Sequence, residues 1–73
     1  MIKELDTVVL TEDLSEYGLQ RGDLGTVVLV HPAGGYEVEF MTLDGETFTV
    51  VSLFPHQVRS VGRREIAQAR LVA

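Results

Sequence analysis

The chain has 73 residues, a formal net charge of −5 and no cysteine. This length corresponds to one domain, and the lack of cysteine excludes disulfide bonds and thiolate metal sites. No run of about 18 apolar residues is present, so the sequence offers no membrane-spanning helix. The first residues, MIKELD, lack the apolar segment of a signal peptide. We therefore expect a cytoplasmic protein.

Short runs rich in β-branched residues alternate with glycine-containing turns along most of the chain, which is the rhythm of strands and hairpins. The loop over residues 11–23 contains Leu14, Tyr17 and Leu19, which we expect to pack beneath it as a small satellite core. A short helical turn is predicted over residues 54–57. The predicted strands cover residues 5–10, 24–30, 36–40, 46–53 and 58–61.

The third predicted strand has the clearest alternation. Tyr36, Val38 and Phe40 alternate with Glu37 and Glu39. This pattern predicts a half-buried strand whose outer face is acidic.

The last twelve residues, GRREIAQARLVA, are rich in alanine and contain no turn residue after Gly62. They predict a short C-terminal helix, which would be marginal in isolation and would need a packing partner. Arg63 and Arg64 at its start oppose the helix macrodipole. The residues expected to attach this tail to a second subunit are Arg63, Arg64, Ile66, Ala69, Arg70 and Leu71.

Five short strands with a helical turn before the last predict an all-β fold, a small SH3-like five-stranded barrel over residues 1–61 with a short C-terminal helix over 62–73. The segments ELDTVVL, GLQRGDLGTVV and YEVEF, within residues 3–61, resemble a family of small uncharacterised bacterial proteins with an SH3-like fold. The resemblance implies little about activity. Because members of that family lie beside genes for small toxin-like proteins, it implies an antitoxin or immunity role.

The charge of the chain is unevenly distributed. Residues 1–57 hold ten acidic residues against Lys3 and Arg21, whereas residues 58–73 hold four arginines against Glu65. The segment GLQRGDLGTVV also resembles the KOW element of RNA-handling barrels, but the acidic body would repel a phosphate backbone. Nucleic-acid binding is therefore a minority alternative. It would rest on Arg59, Arg63, Arg64 and Arg70.

No residue pattern indicates catalysis, a metal or a cofactor. His31 and His56 are the only histidines, and no spacing of ligands around them suggests a zinc site. Glu37 and Glu39 are expected to face water rather than a shared cleft. A barrel of this size also has little room for a small-molecule substrate.

The second and fourth strands carry more apolar residues than one interior needs, because TVVLV and TVVSL do not alternate. An uncovered apolar face would be adhesive, so a partner or a second subunit is expected to cover it. The leading hypothesis is a non-catalytic, homo-oligomeric interaction module, a dimer or tetramer that can also bind a basic protein. The alternative is a purely structural self-assembling protein. The predicted partner-binding residues are Glu37, Glu39, Val27, Leu29, Val51 and Leu53.

Overall fold

The β-branched runs of the chain form strands in the computed structural model, which describes residues 1–72. A 3-10 turn at Ser15–Tyr17 lies in the first loop, and a second at Pro55–Gln57 precedes the last strand. No helix in the described residues is long and apolar enough to cross a membrane. The five strands are β1 (Thr7–Leu10), β2 (Leu24–Val30), β3 (Tyr36–Met41), β4 (Thr47–Leu53) and β5 (Val58–Ser60).

The strands form one antiparallel sheet in the order β4-β3-β2-β1-β5. The all-β prediction and the positions of the five strands are confirmed, with small differences at the ends. The predicted barrel is not closed, because β4 and β5 lie at opposite edges of the sheet and do not pair in the described residues. With only three residues, β5 pairs with β1 and offers little length for closing the sheet.

The predicted C-terminal helix is absent from residues 62–72, which have no regular secondary structure beyond a turn; Ala73 lies outside the described residues. Two physical reasons account for the difference. Arg63 and Arg64 are unfavourable at a helix start, and the apolar residues that should anchor the helix find no packing surface. Ile66 and Leu71 are 93% and 97% exposed, so nothing offsets the cost of ordering a short helix.

The core lies on one face of the sheet. Val8, Leu10, Val27 and Val38 are its most deeply buried residues. Leu14 and Leu19 join the same cluster, since their main chains form a bridge that folds the first loop back on itself. Leu14 and Leu19 are thus buried as expected, but in the main core rather than in a separate satellite core, whereas Tyr17 is exposed.

Two bulges change which residues face the core. The pairing of β2 with β3 shifts between Val27 and Leu29, so Val28 and Leu29 are both exposed. The pairing of β3 with β4 shifts between Phe40 and Met41, and Phe48 packs against the core at this point. An extra residue in one strand reverses the alternation beyond it. Strict period-two counting along β2 and β4 therefore assigns some side chains to the wrong face.

Candidate functional site: an acidic and apolar surface on the outer face

The face of the sheet opposite the core carries a mixed surface on β2, β3 and β4. We call it the outer patch and define it as Leu29, Glu37, Glu39, Met41 and Val50. The register places Leu29 directly opposite Glu37 and Val50 directly opposite Glu39, so each glutamate has an apolar cross-strand neighbour. Opposite residues of an antiparallel pair share a face and lie about 5 Å apart. The patch is therefore continuous across three strands.

Glu37 is held in place by two donors from neighbouring elements. Its Oε2 lies 2.7 Å from His31 Nε2 and accepts a hydrogen bond from the Ser52 hydroxyl. The hydrogen bond from Ser52, followed by that from His31, lowers the pKa of Glu37, against a smaller opposing effect of desolvation. Glu37 is therefore an ionised acceptor in a fixed position at neutral pH.

Glu39 has a similar arrangement. Its Oε2 accepts a hydrogen bond from the Thr47 hydroxyl on β4. In both glutamates the bonds within the described residues reach Oε2 alone. A carboxylate has about four acceptor positions, so Oε1 of each side chain is available to an incoming donor.

The apolar members of the patch are about half exposed: Leu29 is 44%, Met41 48% and Val50 50%. Of the predicted apolar contact residues, only Leu29 is at the surface. Val27, Val51 and Leu53 belong to the core, so their predicted place on the outer face is corrected. Met41 and Val50 were missed. Glu39 was the available signal for Val50, because the residue opposite an outward glutamate also faces outward.

Arg70 attaches the C-terminal tail to its own chain through side-chain hydrogen bonds. Arg70 Nε donates to Asp23 Oδ1 at 2.8 Å, and Arg70 Nη2 donates to Asp23 Oδ2 and to the Gly18 carbonyl. Burial alone would raise the pKa of Asp23, but the hydrogen bond from Arg70, the Gln20 amide and the charge of Arg70 together lower it. Arg70, which is predicted from the sequence to attach the tail to a second subunit, therefore contacts its own chain.

A second ion pair lies nearer to β5. Arg59 donates two hydrogen bonds to Glu65, at 2.8 and 2.7 Å, and the Gly62 amide also donates to Glu65. Among the described residues, the tail from residue 61 onward makes no main-chain to main-chain hydrogen bond. Its attachment to the sheet by hydrogen bonds depends on arginine side chains, whereas Ile66 and Leu71 are exposed.

The ion pair at Glu65 should respond to acid in a defined range. The hydrogen bond from Arg59, then the Gly62 amide, lowers the pKa of Glu65 from 4.5 to about 2, against desolvation. A depressed folded-state pKa stabilises the folded contact above the unfolded value, and this contribution is lost as the pH falls from 4.5 towards about 2. A carboxyl-carbon NMR titration should therefore place the midpoint of Glu65 near 2.

The control for this titration is Arg59→Ala, which removes the largest cause of the shift. In that variant the midpoint of Glu65 should rise towards 4.5. A wild-type midpoint already near 4.5 would show that the contact with Arg59 does not persist in solution.

The tail also forms one wall of an open groove of about 560 Å³, whose other wall includes Leu24, Met41 and Phe48. This volume reaches the range of small-molecule pockets, but the groove is open and lies between the tail and the sheet, whereas the expectation from the sequence concerned the interior of the barrel. The groove supplies little chemistry. Asp23 and Arg70, which both line it, are already paired with each other.

The described residues contain no group of three or more His, Asp or Glu side chains that could hold a metal ion. His31 bonds Glu37, and the His56 ring stacks on Phe54 with 5.9 Å between ring centroids. The outer patch can therefore offer fixed carboxylate acceptors beside apolar side chains.

Comparison with known protein families gives a match over most of the chain. The model of a family described as a domain of unknown function (DUF4926) matches residues 4–60, which include all five strands. The prediction of an uncharacterised family from the sequence segments is thereby confirmed. No curated protein and no solved structure matches the chain.

Proposed function

The chain belongs to the DUF4926 family, whose function is unknown, and from the site itself we propose that it is a non-catalytic protein-interaction module. Its outer patch receives a segment of another protein that is both basic and apolar. The observation that carries the proposal is the pair of glutamates, each held through Oε2 with Oε1 available, beside half-exposed Leu29 and Val50.

Fixed carboxylates are suited to recognition. An incoming lysine or arginine would meet acceptors that are already oriented, so less conformational entropy is lost on binding. Hydrogen bonds between ionised partners are the stronger kind. The apolar neighbours add contact area, and burial of this apolar area in the complex favours binding.

The spacing of the two glutamates determines how far apart the cationic side chains of the partner should be. Residues i and i+2 of a strand lie on one face about 7 Å apart, which is the separation of Glu37 and Glu39 along β3. The matching segment presents two cationic side chains at this separation, with apolar side chains between or beside them. The acidic body of the chain would attract such a segment and speed its association.

An SH3-like arrangement of the sheet belongs to the same proposal. The strand order β4-β3-β2-β1-β5 and the 3-10 turn at Pro55–Gln57 immediately before β5 both support it. Nucleic-acid binding has less support, because Arg59 and Arg70 are paired with Glu65 and Asp23.

The proposal is tested by capture from a lysate of the source cell, followed by identification and purification of the bound protein. Binding of the purified partner is then measured by calorimetry. Glu37→Lys with Glu39→Lys should weaken the affinity at least tenfold, because two attractive contacts become repulsive. Leu29→Asp should weaken it as well.

The matched control reverses the charge of two acids outside the outer patch, Glu12→Lys with Glu16→Lys. This variant has the same net charge as the double β3 variant. Equal loss of affinity in the two double variants would overturn the proposal, since general charge rather than the outer patch would then determine binding.

A further inference from the structure

The outward edge of β4 is the longest unpaired strand edge of the sheet. β4 runs for seven residues, Thr47–Leu53, and pairs only with β3 among the described residues. Its sequence, TFTVVSL, contains no charged residue and no proline. A free edge presents a row of unpaired N–H and C=O groups that can add another strand.

The opposite edge of the sheet is different. β5 has only three residues, and its middle residue, Arg59, is charged and paired with Glu65 of the tail. Short length, charge and a covering segment are the usual protections of an edge strand. β4 is longer and uncharged, so beyond its bulge at Phe48 the stretch 49–53 lacks the short length and the charge that protect β5.

We propose that two copies of this chain pair through β4, antiparallel, and continue the sheet from five strands to ten. A two-fold axis makes such a contact self-complementary, since each copy presents the same edge. When the two-fold axis passes through Val50, the midpoint of β4, every residue of β4 faces an uncharged residue of β4 in the second copy.

The size of the chain gives a reason for the pairing. A domain of this length buries only about 60% of its unfolded surface, and disulfides or oligomerisation usually supplement so small a core. Cysteine is absent. Pairing through β4 would satisfy the open edge and bring two outer patches side by side, although it does not depend on the partner proposed above.

The first test is the solution mass of the full chain by light scattering across a concentration series. The expected mass is twice the 8.1 kDa of one chain. Val50→Lys should raise the dimer dissociation constant at least tenfold, because a lysine on an edge strand opposes pairing. Leu29→Lys is the matched control: it is similarly exposed and also lies directly opposite a glutamate of β3, but on the interior strand β2.

Loss of the dimer in Val50→Lys together with its retention in Leu29→Lys supports the edge contact. A monomeric wild-type chain overturns the proposal, as does equal dissociation of both variants, which would indicate packing through the outer face. Because these measurements use the chain alone, a monomer that still captures a basic partner would overturn this inference and leave the proposed function intact.

A cross-linking test reports the same contact independently. The chain lacks cysteine, so a single introduced cysteine can form only an intermolecular disulfide. Residues directly opposite each other in paired strands are close enough for a disulfide. Val50→Cys should therefore cross-link under mild oxidation, with Ser52→Cys and Thr47→Cys covering a displaced register. Leu29→Cys should remain largely reduced, and its cross-linking at an equal rate would overturn the edge assignment.

Discussion

Replacement of Leu53 by alanine should lower the free energy of unfolding by about 2–5 kcal/mol, the usual cost of truncating a buried leucine. Leu53 is 4% exposed and lies in the core cluster beside the partly buried Tyr36, its cross-strand neighbour. The cavity left by the lost methyl groups cannot collapse fully in a sheet that is fixed by main-chain pairing. Unfolding by urea, followed by circular dichroism, measures the change.

The same substitution at Leu29 is the control for this measurement. Both leucines were expected from the sequence to form one exposed contact surface, but Leu29 is 44% exposed. Leu29→Ala should therefore change the free energy of unfolding by no more than about 0.5 kcal/mol. Equal destabilisation by the two substitutions would contradict the bulge in β2 and the assignment of faces that depends on it.

Replacement of Gly25 by alanine should be destabilising by about 1–3 kcal/mol, because it overpacks a filled core. A Cβ atom at this position would lie 2.5 Å from Val38 Cγ1 and 2.9 Å from Phe40 Cε2. Both neighbours are buried in the core, so the added methyl group forces packed side chains to shift. The effect is large relative to the roughly 5–15 kcal/mol that stabilises a typical domain.

Thermal unfolding compares Gly25→Ala with Thr26→Ala, a change in the adjacent residue that faces the opposite side of the sheet. Thr26 pairs with Thr7 and Glu39 and is only partly buried. The melting temperature should fall markedly for Gly25→Ala alone. A melting temperature within one or two degrees of wild type in Gly25→Ala would indicate that the contact of β2 with β3 is looser than the structure has it.

The strands could be predicted because local patterns determine them. The alternation in YEVEF requires one buried and one solvent-facing side, and the structure keeps Val38 and Phe40 buried with Glu37 and Glu39 opposite. The tail could not be predicted in this way. Alanine content favours a helix, but helix formation also depends on a packing surface, and none is present for Ile66 or Leu71.

The sequence predicts the two charged residues of the outer patch, but it predicts only one of the three apolar residues. Glu37 and Glu39 follow directly from the alternation of β3, whereas the outward side of β2 and β4 depends on two bulges. A bulge is a property of the pairing between strands rather than of either sequence. The apolar run VVSL therefore does not determine whether Val50 or Val51 faces outward, and the run VVLV in β2 is ambiguous in the same way.

The order of the strands also sets an order of events as the chain acquires its structure. β2, β3 and β4 are joined by short turns, so their pairing closes only small loops. β1 and β5 come from the two ends of the domain, and Val8 meets Ser60 only after most of the chain has been brought together. Contacts between distant residues cost more loop-closure entropy and form late. We therefore expect the three-stranded meander to form first, and the pairing of β1 with β5 to limit the folding rate.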